Sequence, residues 1–284
     1  MKLQSEDRLD KMIKLWLDED IGDGDHTTIA TILPGTKGKA KLLVKQEGII
    51  AGIRIAERIF KKFDRNLEIS IFIPDGTPVK NGDVAFEIKG PVRSILQTER
   101  LVLNIMQRMS GVATQTFQYV NSLKGLKTVV LDTRKTTSGS RLLEKEGVRL
   151  GGGQNHRFGL YDMILIKDNH IDFAGGIAEA LQRTYKYLKE NSKDLKIEIE
   201  ARTIDDVMEI LRIGGANRIL LDNFTPEMTR EAIGLIGDAC ETESSGGITI
   251  ENIRQYAESG VDYISVGALT HQIKSLDLSL KATL

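Results

Sequence analysis

Along the first half of the chain the apolar positions change period several times. Leu9, Met12, Ile13, Trp16 and Leu17 recur on one helical face and predict an amphipathic first helix. Three acids follow, Asp18, Glu19 and Asp20, where a helix dipole disfavours negative charge, so the helix is expected to end there. Ile21 to Thr28 reads as a turn. Its acids do not make a calcium loop: counted from Asp18, the bidentate position falls on Ile29, and counted from Asp23 the required glycine is Thr28. A strand is expected within Lys39 to Ile50 and a short helix from Ile53 to Phe63. Leu67 to Lys89 alternates and is rich in Ile, Val and Phe, with turns at Pro74-Asp75-Gly76 and Asn81-Gly82-Asp83. Arg93 to Leu123 has a broad apolar helical face at Ile95, Leu101, Val102, Ile105, Met106 and Met109, with Gly111 expected to break or kink it.

After Gly125 the pattern becomes a repetition of two kinds of segment. Short apolar runs at Thr128–Asp132, Met163–Ile166, Leu195–Ile199, Arg218–Leu221, Ala239–Thr242 and Tyr263–Val266 are separated by helical stretches. These stretches include Ile177–Leu188, Ile204–Ile213, Pro226–Ile236 and Thr249–Ser259. Such alternation predicts parallel strands with crossover helices, an α/β chain whose C-terminal part is a (β/α) barrel over 113–270. The region 1–112 is expected to form an α+β domain, its GTPVKNGDVAFEIKG run resembling a barrel-sandwich hairpin. No lysine sits at a symmetric hairpin tip, so a carrier role is not expected. The tail 271–284 is expected to be a helix that joins the first domain.

A special residue stands directly after each apolar run: Arg134 and Lys135, then Lys167, Glu200, Asp222, Ser245-Gly246-Gly247 and Gly267. In a (β/α) barrel these positions ring the C-terminal mouth, where such folds place their sites. Arg offers a planar fork for carboxylate or phosphate, and Lys a compact charge. The two glycine turns offer backbone N–H groups for phosphate, with helices expected to begin at Thr249 and just after Ala268. Glu200 and Asp222 suit sugar hydroxyls, Mg²⁺ or a developing positive charge, or else internal salt bridges to Arg134 or Lys167. His156 could donate to a substrate acceptor. His170, after Asp168-Asn169, has two equal readings, a helix cap or a catalytic group.

Charge narrows the ligand class. The chain carries a formal net charge of -1, yet Arg134 to Lys167 holds seven basic residues against three acidic ones. A local cationic cluster on a neutral protein points to a small anion and away from nucleic acid or a membrane surface. The single cysteine, Cys240, excludes an intrachain disulfide. The four histidines have no zinc spacing, and Walker A and dinucleotide fingerprints are absent. The N-terminus lacks a basic-then-apolar leader, so a cytoplasmic location is expected. The run from Val129 to Gly139 fails as a type I phosphoribosyltransferase loop, because Asp132 has no acidic neighbour.

GDGDHTT, ERLVLNIMQRMSGVAT, DTRKTT, GGGQNHRFGLYD, ILIKDNHI, IEIEARTIDD, ILLDNF, SSGGI and YISVGALTH together resemble the quinolinate phosphoribosyltransferases, type II enzymes. Ser138 stands where proline is common and Gln154 where a basic residue is frequent. A paralogous group linked to molybdate transport shares DTRK but lacks the NHR match present here. The resemblance implies an N-terminal hammerhead-like domain and transfer of phosphoribosyl from phosphoribosyl pyrophosphate (PRPP) to quinolinate, releasing pyrophosphate and CO₂. It also implies Arg134, His156, Arg157 and Lys167 on the quinolinate carboxylates, and Thr133, Lys135 and Arg100 on anionic substrate groups. Arg100 would reach the neighbouring subunit of a dimer. Glu200 and Asp222 would meet the ribose, with Mg²⁺ carried mainly by PRPP near them. Ser245, Gly246 and Gly247, with Val266, Gly267 and Ala268, would cradle the 5′-phosphate. Alternatives are a paralogue using another aromatic acid, a Schiff-base aldolase built on Lys167, and a non-catalytic phospholigand-binding protein.

Overall fold

The computed structural model describes residues 2–283, with backbone alone for 2–6. Contacts divide it into two compact units. One comprises Met1–Phe117, Thr136–Gly152 and Gln272–Leu284; the other comprises Gln118–Lys135 and Gly153–His271.

The first unit begins with α1 (Lys2–Ile21) and α2 (His26–Thr31). The acids Asp18 to Asp20 do not end α1, because all three lie on its exposed side and are solvated. The expected turn is shorter than Ile21–Thr28, since Asp25 caps α2 by accepting a hydrogen bond from the Thr28 amide at 3.0 Å. Then come β1 (Lys37–Val44), β2 (Gly48–Ile49), α3 (Ile53–Phe63), β3 (Glu68–Ile71), β4 (Pro78–Val79) and β5 (Val84–Pro91). The long helix α4 (Val92–Ser122) crosses into the second unit, and α5 (Arg141–Leu150) returns to the first. The core gathers alternate residues of β1 (Ala40, Leu42, Val44), Phe60 packed edge-on against Phe86, and the inner face of α4.

Two expectations fail here for packing reasons. Gly111 neither breaks α4 nor ends it. A Cβ on Gly111 would lie 2.4 Å from the Lys274 carbonyl oxygen, so the glycine serves a close backbone approach. The tail forms no helix over 271–284. It ends as β12 (Leu278–Thr283), antiparallel to β1 in a sheet ordered β12-β1-β5-β3. Leu278 and Leu280 point into the core with period two, and pairing satisfies a β1 edge that would otherwise be open.

The second unit holds β6 (Val129–Leu131), β7 (Ile164–Ile166), α6 (Asp168–Ala174), α7 (Ile177–Glu190), β8 (Ile197–Ala201), α8 (Ile204–Ile213), β9 (Arg218–Asp222), α9 (Pro226–Ile236), β10 (Glu241–Ser245), α10 (Ile253–Ala257), β11 (Tyr263–Ser265) and α11 (Ala268–His271). Its six strands are all parallel, ordered β6-β11-β10-β9-β8-β7, which makes an open (β/α) barrel with β6 and β7 at its edges. Gln154 extends the β6 side by a parallel bridge to Leu131.

Ile197, Ile199, Ala201, Ile219 and Leu221 share one apolar cluster with α7, α8 and α9. Period two therefore turns Glu198, Glu200, Arg218, Leu220, Asp222, Glu241, Glu243 and Ser245 to the opposite face. That face is the barrel interior, and it is lined by charge.

Gly111→Ala tests the close approach in the first unit. An alanine normally favours a helix interior by about 1 kcal/mol over glycine. Here the clash should reverse the sign and lower stability by about 1–3 kcal/mol in urea denaturation. A gain in stability would show that the Lys274 carbonyl yields freely.

Candidate active site

The strand ends of the second unit bring together most of the residues singled out in the sequence. Lys167 sits at the end of β7 and forms an ion pair with Glu200 Oε1. The other Glu200 oxygen accepts the Asp168 amide at 2.9 Å. Glu200 is buried and both its oxygens are engaged, so the salt-bridge reading holds for it in the resting arrangement. His170 proves to be a cap: its Nδ1 accepts the Lys167 amide at 2.9 Å at the start of α6.

Asp222 ends β9 and accepts from Asn223 Nδ2 at 2.8 Å. Burial, and then the neighbouring Glu200, push its pKa upward, with Lys167 opposing. Two acids face each other across this corner of the mouth, and only one of them has a cation directly on it.

The glycine turn after β10 packs against the loop after β9. Asn223 has φ 58 and donates its amide to the Ser245 carbonyl at 2.8 Å. Gly246 has φ +95, and a Cβ there would lie 2.1 Å from Asn223 Oδ1. Any side chain at Gly246 would part the two loops, which is why the turn needs glycine. No helix begins at Thr249 as the sequence had suggested. Asn252 closes the loop instead, its Oδ1 accepting the Thr249 amide at 2.7 Å and its Nδ2 donating to the Gly247 carbonyl at 3.1 Å. The helix that follows, α10, starts only at Ile253.

Val266, Gly267 and Ala268 follow β11 and lead into the four-residue α11. The Lys135 side chain lies along this turn, its Cδ only 3.1 Å from where a Gly267 Cβ would stand. The Thr270 hydroxyl donates to the Lys135 carbonyl at 2.8 Å, and the Lys135 amide donates to Thr133 Oγ1 at 3.0 Å. An exposed ammonium thus stands beside one of the two glycine turns.

Arg134 and Arg157 are partly buried neighbours. Burial, and after it the Arg134 charge, lower the Arg157 pKa, while Glu198, Asp162 and Glu200 support its charge. Two guanidinium groups held close in this way are suited to a ligand carrying two carboxylates. Arg100 is different: it is exposed on α4 in the first unit, outside the unit that carries the other residues.

His156 is not turned outward as a donor at the mouth. Its side chain is 7% exposed, with Nε2 2.9 Å from Glu198 Oε2 and 3.4 Å from Glu243 Oε2. Nδ1 accepts the Arg157 amide at 2.7 Å, and the His156 amide donates to the buried Asp132 at 2.9 Å. Both ring nitrogens are engaged within the protein.

Glu198, Glu243 and Arg218 were missed in the sequence, although the alternation I-E-I-E-A marks an acidic strand face. Arg218 donates to Glu243 Oε2 at 2.8 Å and to Glu241 Oε2 at 2.9 Å, and lies 3.9 Å from the Tyr263 ring centroid. Burial lowers the His156 pKa, but the hydrogen bonds of Glu198 and Glu243 outweigh it and lift it to about 9. Burial, followed by the charge of Glu243, raises Glu198 to about 7. The Arg157 N–H disfavours a proton on Nδ1, so the extra proton belongs to the His156–Glu198 pair.

The family model "Quinolinate phosphoribosyl transferase, C-terminal domain" matches residues 112–281, and the corresponding N-terminal domain matches residues 25–110. "Quinolinate phosphoribosyltransferase [decarboxylating] 1" of Nicotiana glauca is 44% identical over 95% of this chain and 81% of that protein. "Probable nicotinate-nucleotide pyrophosphorylase [carboxylating]" of Bacillus subtilis is 42% identical over 98% of this chain and 94% of that protein. The crystal structure of NadC from Streptococcus pyogenes superposes with a TM-score of 0.92, at 37% identity, over 97% of this chain and 96% of that one.

The proton on the buried pair has a consequence for stability. The pair binds protons more tightly in the fold, His156 being raised from about 6.5 to about 9 and Glu198 from about 4.5 to about 7, so its contribution is fully present only below about pH 4.5. It falls as pH climbs through 7 and is lost above pH 9. Thermal unfolding at pH 6.5 and 9.5 should show this loss in the native protein and a smaller one in His156→Asn. Equal slopes would remove the proton from the pair.

Proposed function

The chain belongs to the quinolinate phosphoribosyltransferase family, and we propose that it joins quinolinate to PRPP with loss of CO₂ at the mouth of its parallel sheet. The products are nicotinate mononucleotide, pyrophosphate and CO₂, a step of NAD biosynthesis. The observation that carries this reading is the coexistence, on one set of strand ends, of paired guanidinium groups, paired carboxylates and two glycine turns. A dicarboxylate, a ribose and a phosphate need these three kinds of partner.

Arg134, Arg157 and Lys167 take the two quinolinate carboxylates. Lys135 takes a phosphate group of PRPP, and the turns at Ser245–Gly247 and Val266–Ala268 hold the 5′-phosphate through backbone N–H groups. Holding two anions in one orientation removes much of the entropy cost of their encounter.

The pyridine nitrogen then attacks the anomeric carbon as the bond to the pyrophosphate oxygen breaks. Positive charge grows on the ribose at this point, beside Glu200 and Asp222, whose carboxylates stabilise it. The new pyridinium draws in the electron pair of the bond to the 2-carboxylate. CO₂ leaves and a proton takes its place on the ring carbon.

Mg²⁺ fits the acid corner. The Asp222 carboxylate accepts from Asn223 and is raised in pKa by burial and then by Glu200, a donor suited to a hard cation. Asp222 would hold the ion beside PRPP, and the ion would supply charge neutralisation for the departing pyrophosphate.

A homodimer, with the exposed Arg100 of one subunit serving the other's mouth, and a cytoplasmic location complete the proposal. No helix among the described residues is long and apolar enough to cross a membrane, and some plant relatives are named as mitochondrial or chloroplastic. A Schiff-base aldolase is disfavoured, because Lys167 is paired with Glu200 and its side chain is 46% exposed, not enclosed in an apolar pocket.

Incubation with Mg²⁺, PRPP and quinolinate should yield nicotinate mononucleotide and CO₂, with no product from nicotinate. Product from nicotinate, or from neither acid, would overturn the substrate assignment.

Arg134→Ala and Arg157→Ala should each raise the quinolinate KM about 10- to 100-fold and leave the PRPP KM within a few fold, as loss of a charged hydrogen bond implies. Unchanged quinolinate kinetics in both would reject the clamp.

Glu200→Gln should lower kcat about 10²- to 10³-fold with a smaller effect on either KM. A loss confined to KM would mean that Glu200 serves binding alone.

A further inference from the structure

Beneath the mouth, the barrel interior contains a second set of charges, of which two acids touch no solvent. Glu198 lies two residues below Glu200 on β8, about 6–7 Å deeper in an extended strand. It is fully buried, as is Glu243 on β10. Glu198 Oε2 meets His156 Nε2 at 2.9 Å, whereas Glu198 Oε1 and Glu243 Oε1 have no hydrogen-bond partner among the described residues. Leaving carboxylate oxygens in that condition is costly, so a compensating role is expected.

A metal ion would be one answer, since His156, Glu198 and Glu243 offer ligand atoms within 4.8 Å of one another. The imidazole argues against it. Nδ1 accepts the Arg157 N–H, so in the neutral ring the hydrogen resides on Nε2, the nitrogen that faces the acids. A metal would need that nitrogen bare. Arg218 already neutralises Glu243 at 2.8 Å.

The geometry points to another role, resting on the function proposed above: Glu198 and Glu243 are positioning residues for the quinolinate clamp, acting through His156 on Arg157. His156 is a peg driven into the barrel. Two buried acids grip its Nε2, its backbone amide is tied to Asp132, and its Nδ1 takes the amide of Arg157. Three anchors therefore fix the backbone immediately before Arg157, and that side chain adds its own bond to the Met163 carbonyl at 3.3 Å. Arg157 stands beside Arg134, which repels it, and a loosely held loop would let the two guanidinium groups separate. The acids prevent this from below, and Glu198 also offsets the Arg157 charge.

Charge and position make opposite predictions for removing Glu198. If it acts only as background negative charge, its neutralisation should tighten binding of a dianion. If it positions the clamp, binding should weaken despite the loss of a repelling charge.

The experiment is calorimetric titration of quinolinate into the native protein, Glu198→Gln and Glu243→Gln, with the KM for each substrate and kcat measured in parallel. Glu198→Gln should weaken quinolinate binding about tenfold or more, the cost of a broken charged hydrogen bond. Glu243→Gln, whose contact is longer, should act in the same direction by a smaller factor. The PRPP KM should move by less than threefold in both.

Quinolinate affinity that is unchanged or tighter in folded Glu198→Gln would overturn the positioning role. If Glu198→Gln does not fold, unchanged quinolinate affinity in Glu243→Gln overturns it equally. Equal losses for both substrates would assign the acids to general stability instead and also overturn it. A native protein that neither binds quinolinate nor converts it refutes the function itself, an outcome distinct from all of these.

Discussion

Everything at the mouth rests on the pairing of charges inside the parallel sheet. Glu198, Glu243, Arg218 and His156 occupy positions that most barrels fill with branched aliphatic side chains. Each would be costly alone, and each is tolerable because the others supply counter-charge or a hydrogen bond. The arrangement is a poor way to gain stability, since apolar packing would do as well. It does fix direction: a peg such as His156, gripped from three sides, leaves Arg157 little freedom.

The same economy of charge continues one layer up. Lys167 meets Glu200, and Asp222 is left with an amide partner and a raised pKa. The corner that must accept a growing positive charge thus carries the least compensated acid. The cationic side of the mouth carries two guanidinium groups in tension. Ligands of opposite sign relieve both strains, which ties substrate binding to the stability of the unit.

Glycine sets the shape of the rim. Gly246 lets the loops after β9 and β10 meet, with Asn223 in a left-handed conformation opposite it, and Gly267 lets the Lys135 chain lie across its turn. In the first unit Gly111 has a related use, admitting the Lys274 carbonyl against α4. In all three places the missing side chain is a contact surface.

Much of this was legible in the sequence. Apolar runs with period two, separated by helical stretches, identify the parallel strands of the second unit. The residue after each run falls at a strand end, so Arg134, Lys135, Lys167, Glu200 and Asp222 could be named from spacing alone, and the motifs supplied the family. His170, Glu198, Glu243 and the tail could not be settled that way. An acid inside a strand looks the same in sequence whether it faces solvent or a closed interior, and only the packing of α7, α8 and α9 on the other face decides. His156 could not be seen as a peg, because its partners lie 42 and 87 residues away in the chain, on β8 and β10. Leu278 to Thr283 became a strand because β1 presented an unpaired edge. Local pattern determines which faces are apolar, and hence the elements. Which polar groups meet, and which of them lose their water, is fixed only when distant strands close upon one another.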